Sequence, residues 1–171
     1  MASLVLTGDT SGQVTIAAPA VAGTTTLTLP ATTGTLNVAG PAFSAYASAA
    51  TSAATATFTK IAFATEEFDT NNNFASSTFT PTVAGYYQIN GSVQGNFTTL
   101  ITAIYKNGVE YKRGNHTSGA TVSLTIVSSI VYLNGTTDYV EIYGYQASGS
   151  TQNFGTGSQF VYFNGCLMRG A

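Results

Sequence analysis

The chain has 171 residues, room for one ordinary domain with an appendage, and only 7% of them are charged, against about 25% in an average soluble domain. Five scattered Lys and Arg against seven Asp and Glu give a formal net charge of −2, so there is no basic stripe for phosphate and no nucleic-acid partner is expected. No apolar run reaches the roughly 18 residues of a membrane span, and the single cysteine, Cys166, excludes an intrachain disulfide.

Thr, Ser, Asn and Gly take the place of the missing charge. Thr suits a pleated surface, and Gly and Asn supply turns, so the composition points to an all-β fold. So neutral a surface also favours association with further copies or with a larger assembly. The opening "MASLVLTGDTSGQ" lacks the basic and long apolar regions of a signal peptide.

Residues 1–40 are expected to form an extended arm. Short apolar pieces at 14–16, 27–29 and 36–38 are punctuated by Gly12, Pro19, Gly23, Pro30 and Gly34, and are too thin for a core of their own. Val14, Ile16, Leu27, Leu29 and Leu36 would be wasted in water, which makes them candidate docking residues. The Ala/Ser/Thr-rich stretch 45–59 reads as a loop or irregular edge strand. A strand follows at 59–64.

Across 86–94 the alternation is clear: Tyr87, Ile89, Gly91 and Val93 share one face, and Tyr86, Gln88, Asn90, Ser92 and Gln94 the other. Segments 100–106 and 109–113 flank Asn107-Gly108, a hairpin signal because a type I′ turn needs positive φ at both central residues. A long strand at 121–133 carries Val122, Leu124, Ile126 and Ile130 in phase. In 139–145, Val140 and Ile142 oppose Tyr139, Glu141 and Tyr143. "SGSTQNFGTGS", 148–158, is a polar loop, and 160–168 is a closing apolar strand in which Cys166 is expected as buried filler. Many short strands, frequent turns and no amphipathic helix predict a sandwich or jelly roll.

Several pieces, in order, resemble the C1q/TNF-like family of trimeric jelly-roll domains. "PAFSAY" (41–46) resembles its opening strand, and "FDTNNNF" (68–74) its aromatic–Asp turn. "FTPTVAGYYQI" (79–89) matches Phe-x-Pro followed by Gly-x-Tyr-x-aromatic at Phe79, Pro81, Gly85 and Tyr87, with Ile89 in place of the usual phenylalanine. "YKNG" (105–108), "DYVEI" (138–142, with Thr137 where glycine is usual) and "FNGCL" (163–167) complete the set. The resemblance covers 41–171 and implies a ten-stranded jelly roll forming a tight homotrimer, with chain ends close together at its base. Its core would include Phe79, Tyr87, Ile89, Val140, Ile142, Phe163 and Leu167. "TGDTSGQVTIAAPAVAGTTTLTLPATTGTL" (7–36) resembles a segment of bacteriophage tail-fibre and other virion proteins. No Gly-X-Y period of a collagen stalk is present, which favours the virion setting.

The residues offer little chemistry. His116, the one histidine, is expected exposed in a loop, without a placed partner for base catalysis. Glu66 and Glu67 are neighbours on a strand and should diverge. Asp69 with Asn71–Asn73, or Asp138, offers oxygen ligands of the kind calcium takes, but solvated turn residues are the simpler expectation. No catalytic residue, metal site or cofactor is therefore expected. Tyr139, Tyr143 and Tyr145 share a strand face that would suit a trimer interface or a glycan groove. The expected function is that of a non-enzymatic trimeric capsid decoration (cement) protein at the capsid surface of a virion, held by its arm to the major capsid protein or another virion protein. The alternative is a tail-fibre or head-fibre tip binding a host glycan through residues 113–120 and 148–158.

Overall fold

Apolar/polar alternation becomes strand almost wherever it runs. The computed structural model describes residues 3–7, 10–17, 40–119 and 122–171, and its regular elements are all β. The chain divides into two units, Met1–Thr35 and Leu36–Ala171.

In the first unit, strand β1 (Ser3–Thr7) pairs antiparallel with β2 (Gln13–Ala17), Leu4 opposite Ile16 and Leu6 opposite Val14. The expected piece at 14–16 lies in β2. Its partner β1 was not foreseen, because Leu4-Val5-Leu6 is one contiguous apolar triplet with no alternation to mark it. Leu27, Leu29 and Leu36 lie outside the described residues.

The second unit carries β3 (Ala42–Tyr46), β4 (Ser52–Ala53), β5 (Thr57–Lys60), β6 (Thr65–Asp69), β7 (Phe74–Ala75), β8 (Thr78–Phe79), β9 (Gly85–Gly95), β10 (Thr99–Lys106), β11 (Val109–Ser118), β12 (Ser123–Leu133), β13 (Val140–Gln146), β14 (Gln152–Asn153) and β15 (Tyr162–Gly170). One sheet runs β12-β9-β15-β3-β6. The other runs β11-β10-β13-β8-β7, with β5 also on β13. Strands distant in sequence lie side by side, as β15 does between β9 and β3, and the two sheets form a jelly-roll sandwich.

Each sheet turns one set of alternate residues inward. Tyr87, Ile89 and Val93 of β9 meet Leu100 and Ile104 of β10 and Val140 and Ile142 of β13, all fully buried. At the other end Phe43 stacks on Phe79 at 4.2 Å and on Phe74 at 5.0 Å, and meets Phe163 edge-on at 4.8 Å. Phe79 in turn stands edge-on to Tyr87 at 5.5 Å. Leu167 is partly buried and packs against this core.

Local structure follows the sequence reading at one turn and departs from it at several other places. The Asn107-Gly108 turn has φ of 54° and 77°, as the type I′ reading requires. Asn107 also binds Asp138, whose carboxyl is held below the usual range by the Asn107 amide and then by the Lys106 ammonium, 2.9 Å away. Strand β5 ends at Lys60, short of 64, because side-chain hydroxyls replace the ladder: the Ala62 N–H donates to Thr51 and the Phe63 N–H to Ser77. Strand β11 runs through 114–118, which the sequence placed in a loop, so the exposed His116 is a strand residue. The polar segment 148–158 is pinned by Phe154, which is buried edge-on against Phe97 at 5.4 Å.

Candidate interaction surface

The outer face of the β12-β9-β15-β3-β6 sheet carries a run of exposed apolar side chains. On β12 the core takes Ser123, Thr125, Val127, Val131 and Leu133. The alternate row points the other way: Leu124, Ile126 and Ile130, in phase in the sequence, are 40%, 45% and 54% exposed, and Tyr132 beside them is 41% exposed. Val122, just before the strand, is exposed as well. Tyr86 of β9 joins the row, its ring 5.4 Å from that of Tyr132. Met168 on β15 and Phe68 on β6 add exposed apolar side chains to the same sheet.

A hydrogen-bonded polar strip crosses the middle of this face. Gln88 donates to Ser128 at 2.9 Å and to Asn90 at 3.1 Å, Ser128 donates to Asn90 at 2.8 Å, and Asn90 donates to Asn164 at 3.0 Å. Beyond the strip lies a shallow groove lined by Ala42, Ser44, Phe68, Asn90, Asn164 and Cys166. Cys166 is exposed there and is not core filler. The apolar run around it misled, because β15 turns Phe163 and Gly165 inward and leaves position 166 outside.

The outer face of the opposite sheet is arranged differently. Tyr143 and Tyr145 lie there, half-buried by their neighbours: Tyr143 stacks on Tyr105 at 3.9 Å, and Tyr145 meets Phe58 at 5.2 Å. Desolvation pushes the phenols of Tyr105 and Tyr143 up. The Arg113 guanidinium lies 5.2 Å over Phe58, and Lys60 pairs with the buried Glu141 at 2.6 Å. Tyr139 precedes β13 and is tied to the hairpin turn through its N–H, which donates to Asn107. The tyrosines named from the sequence are thus engaged by Tyr105, Phe58 and Asn107, whereas the β12 row is more exposed.

The arm residues split. Ile16 is 53% exposed on β2, and Val14 stands opposite Leu6 in the register. Leu4, Val5 and Leu6, absent from the sequence-derived set, are 57%, 46% and 52% exposed.

Among the described residues no three His, Cys, Asp or Glu side chains gather as a metal site. Asp69 accepts the N–H groups of Asn71 and Phe74, which fixes the turn before β7. Asp138 is engaged as described above, and Glu67 accepts from Ser44 at 2.7 Å.

No family model and no curated protein matches the chain. Solved structures do. The globular domain of zebrafish complement 1qA superposes with a TM-score of 0.62 at 17% identity, covering 78% of this chain and all of that one. Murine APRIL at pH 8.0 gives 0.60 at 9% identity, over 76% of this chain and all of that one. The vertex protein P5 of PRD1 gives 0.53 at 12% identity, over 75% and 97%. The fold is therefore that of the C1q and TNF jelly-roll domains.

Proposed function

We propose that the protein is a non-enzymatic structural component of a virion, a homotrimeric capsid decoration protein that docks on the shell through its N-terminal arm and stabilises it. The exposed row Leu124, Ile126, Ile130 and Tyr132 on an otherwise well-packed jelly roll carries the self-association part of this reading. Each such side chain contributes roughly 1 kcal/mol when its exposed half is covered. A row of this length on each copy meets the need of a subunit contact better than that of a free surface. Laying the apolar edge of one copy over the groove beside Cys166 of the next would be a head-to-tail contact, the kind that closes as a ring when its rotation is a third of a turn. Likeness to a phage vertex protein supports the virion setting. So does an arm with no charge but Asp9.

Shell stabilisation follows from mass action, since whatever binds only the assembled state favours it. Three arms per trimer multiply the affinity by linkage alone. Removing residues 1–38 leaves a folded trimer that no longer binds shells lacking the protein, measured by co-sedimentation with them. A truncated trimer that still decorates shells refutes arm-mediated docking.

A further inference from the structure

The hairpin β1–β2 has two chemically different faces. By register Leu4, Leu6, Val14 and Ile16 alternate with Ser3, Val5, Thr7, Gln13, Thr15 and Ala17. The first set is wholly aliphatic, and Leu4, Leu6 and Ile16 are each more than half exposed. The second set is polar but for Val5 and Ala17. An isolated two-stranded ribbon is marginal in water, and one with a bare aliphatic face is a surface awaiting a partner.

The chemistry of that partner can be narrowed. Asp9, in the link between the strands, is the only charged residue before Lys60. A ribbon without cations does not suit phosphates or an acidic glycan, and an aliphatic face offers a sugar neither a ring to stack on nor donors to bind. The β12 row of another copy is the competing uncharged surface, and the oligomeric state of the variants below separates it from a shell protein. Resting on the decoration reading, we propose that the aliphatic face of this hairpin, carried by Leu4, Leu6 and Ile16, is the docking element of the arm, and that it seats on an uncharged apolar surface of a shell protein. The polar face of Thr7, Gln13 and Thr15 then remains toward water. Affinity comes from apolar burial, so it is expected to survive high salt.

The test uses the full chain and shells of the parent virion that lack this protein. Leu4→Asp with Ile16→Asp places two charges on the aliphatic face, and Val5→Asp with Thr15→Asp places two on the other. The inference expects the first pair to weaken shell binding at least about hundredfold while the chain stays trimeric with unchanged melting of the jelly roll. The second pair binds within about threefold of wild type. Equal loss from both pairs, or none from the first, overturns the assignment of the face. Dissociation of the first pair to monomers overturns it too, since the hairpins would then cover one another. If the truncation lacking 1–38 fails to bind but the Leu4/Ile16 variant binds normally, only the hairpin inference fails and docking passes to the rest of the arm. If the intact chain itself does not bind shells, the decoration reading fails.

Discussion

Tyr87 is enclosed between the two sheets, and its hydroxyl donates to the Val83 carbonyl at 2.7 Å. Truncation to alanine removes a ring that packs edge-on against Phe79, and should cost about 3–5 kcal/mol in denaturant unfolding. Burial also pushes its phenol up from 10.0 to about 12. Between those two values the unfolded chain gives up a proton that the folded chain keeps. Stability therefore falls by about 1.4 kcal/mol per pH unit across that window and is unaffected below it. Tyr87→Phe should lower stability by about 1 kcal/mol near neutral pH and flatten the alkaline slope. An unchanged slope would place the responsible phenol elsewhere among the ten tyrosines. At this scale period two marked Ile89, Val140 and Ile142, and the C1q/TNF-like motifs marked Phe79 and Phe163. Phe79, Ile89, Val140, Ile142 and Phe163 are all fully buried. Gly85 obeyed something else: it is the first residue of β9 and not a turn, and a Cβ there would collide with the Arg169 carbonyl of β15. A close approach between strands distant in sequence leaves no local signature.

Strand β12 turns its more apolar row outward. Leu124, Ile126, Ile130 and Tyr132 are the more apolar of its two rows, so hydrophobicity alone assigns them to the core. The core row includes Thr125 because it meets Thr102 of the opposite sheet at 2.6 Å, a buried hydroxyl pair that no pattern within one strand reveals. The inversion means that both rows need covering, one by the sandwich and the other by something else. Ile126→Lys with Ile130→Lys should leave the β fold intact by circular dichroism, because neither side chain enters the core, and should convert a trimer to monomers in size-exclusion chromatography. A variant that remains trimeric would move the contact to another surface, the Tyr139, Tyr143 and Tyr145 face being the next candidate. The hairpin β10–β11 was legible from Asn107-Gly108 alone. Hairpin β1–β2 was not, because the link between its strands lacks a two-residue turn signal.

At the scale of the whole molecule, scarcity of charge is the organising feature. The three ion pairs among the described residues, Lys60–Glu141, Lys106–Asp138 and Arg113–Glu110, all lie in the second unit. The surfaces assigned to self-association and to docking are built without charge pairs. Raising salt from low to molar concentration should therefore change shell binding less than about tenfold, as measured by shell co-sedimentation over a salt series. A steep loss would assign the docking to charged residues of the second unit. The measurement that tests the account most directly is sedimentation equilibrium of the purified full chain at micromolar concentration. The account predicts one species at three times the 17.6 kDa chain mass. A stable monomer, with the β12 row open to water, would contradict it.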